Sequence, residues 1–164
     1  MVATEGGHIG YAPASDEELD LLRHLRRTRA FVEVEAFLSG PGLVRIHDFL
    51  CARDGCAATA TSPADISAAA LAGSDARCVE AARWFLAMLG SVAGDLALVH
   101  GATGGIYLGG GVLERLLPLL GASQFRERFV AKGILGDYLR EVPVQVIRRE
   151  NAALHGAAYL YRPG

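Results

Sequence analysis

Leu19, Leu22 and Leu25 recur at helical spacing behind Ser15 and Glu18, which form a capping box, and predict an amphipathic helix over residues 16–27. Its arginine-rich C-terminal end suits the helix dipole. The pattern then changes to alternation. Val32, Val34, Ala36 and Leu38 oppose Glu33, Glu35 and Phe37, which predicts a short strand or extended approach to a turn at Ser39. A helix is expected from about Leu43 to Arg53, and Ser62-Pro63 reads as the entry to a short helix ending near Gly73. Asp75 begins the longest helical pattern, in which Val79, Ala82, Phe85, Leu86, Leu89, Ala93, Leu96 and Val99 share one broad face up to Gly101. Gly90 and Gly94, one turn apart on it, allow close helix packing.

Beyond that helix, Gly104-Gly105-Ile106-Tyr107-Leu108-Gly109-Gly110-Gly111 reads as a short apolar strand between two glycine clusters, with a helix starting after the second. Phe125 to Phe129 continues a helix, Gly133 and Gly136 break it, Pro143 to Ile147 alternates as a strand, and Ala152 to Tyr161 predicts a closing helix. Val2 to Thr4 reads as the tail of a strand feeding a loop from Glu5 to Pro13. The order is mixed α/β, without an internal repeat.

Composition narrows the function classes. With 164 residues, 51% of them hydrophobic, the chain is long enough for one domain with a substantial core. A formal net charge of -2 with 21% charged residues points away from nucleic acid and anionic membranes, toward small substrates or protein partners. Lys132 is the only lysine, so an isolated arginine carries little weight. Cys51, Cys56 and Cys78 are an odd set with no CxxC, which suggests neither disulfides nor a metal site and fits a reducing cytoplasm. The first residues do not read as a signal peptide, and no apolar run is expected to span a membrane.

The candidate chemistry begins with Glu5-Gly6-Gly7-His8, followed by Glu35 and Ser39-Gly40-Pro41-Gly42-Leu43. Ionised carboxylates accept several hydrogen bonds, neutral imidazole donates and accepts, and flanking glycines admit close backbone approach, a set that suits sugar hydroxyls. Taken alone, Glu5 and His8 read more readily as loop or helix-capping residues than as a sugar site. Gly109-Gly110-Gly111 reads either as a helix-start turn or as a turn bared for a nucleotide. A GxGxxG fingerprint is absent, and Lys132 is followed by Gly133, so there is no Walker-type loop. Arg126, Arg148 and Arg149 are left without a role, and His100 and His155, set in apolar stretches, read as packed histidines. Cys51 and Cys56 near His47 read as buried thiols, their spacing fitting zinc motifs poorly.

Taken in order, these blocks, extended by Phe125-Arg126, Lys132-Gly133, Pro143-Val144 and Leu154-His155-Gly156-Ala157-Ala158, resemble the bacterial glucokinase family within the hexokinase, actin and heat-shock ATPase superfamily. The resemblance covers nearly the whole chain. It implies an RNase H-like α/β domain of the actin/hexokinase type with additional helices, the larger C-terminal portion of a two-domain sugar kinase over residues 1–164. Glu5, His8 and Glu35 would bind glucose, and Gly110 and Gly111 would border the adenosine of ATP. The parent reaction would move the γ-phosphoryl group of ATP, with Mg²⁺, to the 6-hydroxyl of glucose. A homodimer and a cytoplasmic location are also implied.

A neighbouring group of sugar kinases and repressors carries a zinc-binding cysteine cluster after a similar ExGH motif. Here no cysteine follows His8 until Cys51, which disfavours that branch. The family's DxGGT-like phosphate segment and its Asn-Asp pair, whose aspartate is the base, do not precede Glu5. Neither Asp95 nor Asp137 matches that aspartate's surroundings. The expectation is therefore a glucokinase portion with sugar and adenosine contacts but no catalytic residue of its own, inactive in isolation. The alternative is a non-catalytic carbohydrate-binding or regulatory module derived from a sugar kinase.

Overall fold

The computed structural model describes residues 5–148 and 152–161. The strand expected at Val2 to Thr4, and Arg149, lie outside them. After a 3₁₀ turn at Gly6–His8, helix α1 covers Asp16–Leu25 and a second 3₁₀ turn covers Val34–Ala36. Helices α2 (Gly40–Arg53), α3 (Pro63–Ala72) and α4 (Ala76–His100) follow. Strand β1 (Ile106–Leu108) leads to α5 (Gly111–Leu120), α6 (Phe125–Val130) and α7 (Gly136–Arg140), then to β2 (Val144–Val146) and α8 (Ala152–Leu160). The strands pair in parallel, Ile106 with Val144 and Leu108 with Val146.

Helix α4 is the centre of the fold, with α2, α3 and α6 packed around it. Its boundaries follow the sequence. Asp75 caps the start by accepting from the backbone N–H of Arg77 and Cys78, and Gly101 ends it with φ +56°. Burial extends beyond the predicted stripe to Cys78, Ala81, Met88, Val92 and Ala97, whereas Val99 is 77% exposed. Long and apolar enough by itself to cross a membrane, α4 is instead the core helix, most of its apolar window being buried.

The two glycines of α4 act as anticipated. A Cβ added at Gly90 would collide with the carbonyl of Phe125, and one at Gly94 with the carbonyl of Phe129. Helix α6 thus lies with its backbone directly on α4. Gly90→Ala should cost about 1–3 kcal/mol, since backbone must move to admit the methyl group. A lowered urea midpoint with an unchanged slope is the expected result.

Several expectations need correction. Residues 32–38 form no strand: Val34–Ala36 is a 3₁₀ turn, and a single antiparallel bridge joins Gly10 and Glu33. Phe37, grouped with Glu33 and Glu35 in that alternation, is fully buried next to Val34 and Ala36, and burying adjacent positions defeats a two-residue period. Helix α2 starts at Gly40 rather than Leu43, because Ser39 is its N-cap and Pro41 fits the first turn. Phe125 opens a separate helix, and Gly136 starts α7 as well as ending the preceding turn. His100 and His155 are exposed rather than packed, as is Cys56, while Cys51 is buried.

Candidate functional site

The loop from Glu5 to Pro13 is stitched to the segment before α2 by backbone hydrogen bonds. The N–H of Val34 donates to the carbonyl of Ile9 at 2.9 Å, and that of Tyr11 to Val32 at 3.2 Å. Within the loop the N–H of His8 donates to the carbonyl of Glu5 at 2.9 Å, closing the turn that holds both residues. The two 3₁₀ turns therefore face each other. His8 Nδ1 stands 3.8 Å from Glu35 Oε2, too long for a hydrogen bond. Both side chains are more than half exposed. Their donor and acceptor capacity is open to a ligand, and the pair itself contributes little stability. A Cβ added at Gly7 would stand 3.7 Å from both Cβ and Oε2 of Glu35, so this glycine packs against the carboxylate.

From Glu35 the chain runs directly to the second cluster. Ser39 Oγ accepts from the N–H of Gly42 at 3.0 Å, and a side chain at Gly42 would strike the carbonyl of Phe37, so this SGPGL turn requires glycine there. Ser39 and Gly40 then line a cleft of about 220 Å³ with Leu38, Phe85, Leu89 and the run Leu108 to Leu113. Gly110 has φ +132°, a conformation that favours glycine, and no atom lies within 4 Å of where its Cβ would stand. Gly111 opens α5, whose first N–H groups lack intrahelical partners. The cleft is smaller than the roughly 300–1,000 Å³ of a drug-sized ligand site, which leaves room for a heterocycle rather than a whole nucleoside triphosphate. Its lining residues include no carboxylate to hold Mg²⁺.

The predicted residues thus fall into two groups joined by one short segment: Glu5, His8 and Glu35 on the two turns, Gly110 and Gly111 at the cleft. Asp95 and Asp137 belong to neither. Asp95 Oδ1 pairs with Lys132 Nζ at 2.6 Å, and Asp137 pairs with Arg140. Arg126 is occupied too, donating to the carbonyl of Arg140 at 2.6 Å and lying over the Phe129 ring.

Sequence reasoning missed the polar group that supports the loop. Glu18, read as the second member of a capping box, does give its backbone N–H to Ser15 Oγ at 3.2 Å. Its carboxylate goes elsewhere. Buried, it accepts from Tyr11 Oη at 2.6 Å, from the N–H of Ala14 at 2.8 Å and from Arg128 Nη2 at 2.8 Å, and Arg128 Nε also donates to Ser91 Oγ at 2.9 Å. Burial first, then the Glu18 carboxylate, pushes the Tyr11 phenol far above its ordinary pKa, so it remains a donor. Tyr11 also stacks at a tilt on Phe37, ring centroids 4.5 Å apart. The loop bearing Glu5 and His8 is thereby anchored to α1, α4 and α6. Only an apolar neighbourhood for Glu18 could have signalled this, and its partner lies 110 residues away.

Comparison with known proteins gives the same direction. The sequence profile of the glucokinase family matches residues 1–163. Glucokinase of Chromobacterium violaceum is 45% identical over 157 residues, covering 96% of this chain and 45% of the relative. Glucokinase of Nitrobacter hamburgensis is 46% identical over 160 residues, covering 98% and 50%. The chain spans about half the length of the curated relatives it matches. Among solved structures, a glucokinase from an Antarctic psychrotroph superposes with a TM-score of 0.87 at 40% identity, over 96% of this chain and 49% of that one. A Balamuthia mandrillaris glucokinase in complex with glucose superposes at 0.84 with 20% identity, which speaks for the fold alone. The α/β fold with additional helices is therefore that of the glucokinases.

Proposed function

The chain belongs to the glucokinase family, and from that premise we propose that it forms the larger C-terminal lobe of an ATP-dependent glucokinase, with Glu5, His8 and Glu35 gripping glucose and Gly110 and Gly111 bordering the adenosine. The observation that carries this reading is the meeting of His8 and Glu35 across two packed turns, both side chains exposed and not hydrogen-bonded to each other. Sugar hydroxyls match that set, since each can donate to a carboxylate and accept from an imidazole N–H. The segment from Glu35 to Gly40 leads from the sugar residues to the glycine cleft, as a kinase that brings sugar and nucleotide together requires.

In this reading the residues of the chain bind and orient, and none is the base. Phosphoryl transfer needs positioned phosphates, Mg²⁺ and an acceptor for the attacking hydroxyl's proton. The small N-terminal domain would supply those groups, in a cytoplasmic enzyme using Mg²⁺-ATP. The 164-residue chain alone should therefore bind glucose yet release little or no ADP from ATP in its presence.

Thermal melts of the purified chain test the binding half. Glucose should raise Tm in a saturable way, following the ratio of its concentration to Kd, and Glu35→Ala should abolish the rise without lowering the ligand-free Tm. A folded chain whose Tm ignores glucose, or a Glu35→Ala variant that responds like the parent, would overturn the assignment. Robust glucose-dependent ADP release by the isolated chain would overturn the division of labour between the two domains.

A further inference from the structure

The core holds a group of donors that neither the sugar residues nor the glycine cleft uses. His47 and Cys51 stand one turn apart on α2, and Asp75 and Cys78 lie at the start of α4. A nitrogen of His47, a carboxylate oxygen of Asp75 and the sulfur of Cys78 all lie within 4.8 Å of one another. The Cys51 sulfur, 3.6 Å from His47 Nε2, lies beside this group without joining it. His47 and Cys78 are fully buried and Cys51 nearly so, whereas Asp75 is half-buried, leaving one side of the group open toward solvent. Sequence spacing concealed this set, because Cys78 and Asp75 arrive from a different helix.

A second observation points to a ligand. His47 Nδ1 is a buried polar atom without a hydrogen-bond partner, a state that costs about 1–3 kcal/mol if nothing satisfies it. The nearest carboxylate, Asp48 Oδ1, stands 3.5 Å away. No hydrogen bond joins the two, and a cation on this nitrogen would supply the missing partner. The Asp75 carboxylate is fixed, with Oδ1 accepting from the N–H of Arg77 at 2.7 Å and of Cys78 at 3.2 Å, and Oδ2 from Thr59 Oγ1 at 3.3 Å. Oδ1 thus has both lone pairs engaged, while Oδ2, accepting once, keeps one for a cation.

We propose that His47, Asp75 and Cys78 form a Zn²⁺ site that clamps α2 to the N-terminus of α4. One nitrogen, one sulfur and one carboxylate oxygen, with water completing the open side, suit a tetrahedral, borderline-soft ion, and an oxygen-seeking Mg²⁺ or Ca²⁺ would not select a thiol. Binding converts the Cys78 thiol to a thiolate and releases its proton. The site stabilises the helix pair and takes no part in phosphoryl transfer, so it stands or falls independently of the glucokinase reading.

The test uses the whole chain, purified under reducing conditions, stripped with a chelator and titrated with Zn²⁺ or Co²⁺ alone. The expected result is one ion per chain, a Tm that rises with free Zn²⁺, and a Co²⁺ spectrum with thiolate charge-transfer and tetrahedral bands. Cys78→Ser and Asp75→Asn, each nearly isosteric, should weaken Zn²⁺ binding at least about tenfold, while Cys56→Ser, at an exposed thiol, should leave it unchanged. His47→Gln is informative when circular dichroism shows the native helix content, and the other two variants decide the matter when it does not. A folded chain that binds no Zn²⁺, a Co²⁺ complex without thiolate bands, or binding lost in Cys56→Ser but kept in Cys78→Ser would each overturn the proposal.

Discussion

Replacing Glu35 by alanine in an enzyme that carries this segment is expected to lower kcat/KM for glucose about a hundredfold, about 3 kcal/mol of transition-state binding, while the apparent KM for ATP changes by less than about twofold. A carboxylate accepting from sugar hydroxyls makes charge-assisted hydrogen bonds, which neutral side chains do not replace. Alanine also leaves the hydroxyls facing His8 without their second partner. Glu5→Ala should shift the same parameter in the same direction, since the backbone turn that carries it also carries His8. Steady-state kinetics with each substrate varied separately checks the split. Unchanged glucose kinetics in both variants would remove these residues from the sugar site, and an equal loss toward both substrates would mean that the fold had been damaged instead.

Glu18→Gln should produce the largest loss of stability, about 3–5 kcal/mol, by leaving the Arg128 guanidinium without its countercharge in a buried setting. The side chains of the pair are only 5% and 15% exposed, so water offers little compensation. For a chain of this length the loss corresponds to a Tm lower by roughly 10 °C or more. Arg128→Met should cost a similar amount by stranding the carboxylate, and the double variant should lose less than the sum of the two. Strict additivity would show that the residues do not act as a pair. Because glutamine keeps one acceptor oxygen and turns the other into an NH₂ donor, Glu18→Gln cannot serve Tyr11, Ala14 and Arg128 together, so the loop bearing Glu5 and His8 loosens and proteolysis should begin there before the core opens.

Helix starts were the most legible part of the sequence. Ser15, Ser62 and Asp75 each cap the helix they announce, because an N-cap acts through local backbone and needs no distant partner. Segment 32–38 was misread because alternation records only half of what decides a strand. The other half is a neighbour to pair with, and beyond Gly10 none is found for it among the described residues. Glu5, His8 and Glu35 were legible as a motif, yet the meeting of His8 and Glu35 depends on two turns packing together, which spacing does not encode. Glu18 and Arg128 were illegible as a pair for the same reason. Each sits unremarkably on its own helix, and only the seating of α6 on α4 through Gly90 and Gly94 brings them together. His47, Asp75 and Cys78 repeat the lesson, since α2 and α4 must dock before they form a set.

Lys132 has a practical consequence at the bench. It is the only lysine in the chain, and its amine is held by Asp95 with its side chain just 16% exposed. Its stem presses on Gly94, where an added Cβ would come within 3.0 Å of Cε. Amine-directed dyes, crosslinkers and surface-coupling reagents therefore find their lysine target engaged in holding α4 against the segment after α6, and reaction there must first break that ion pair. Labels for binding measurements are better placed on the exposed thiol of Cys56, with the buried Cys51 and Cys78 shielded by the fold.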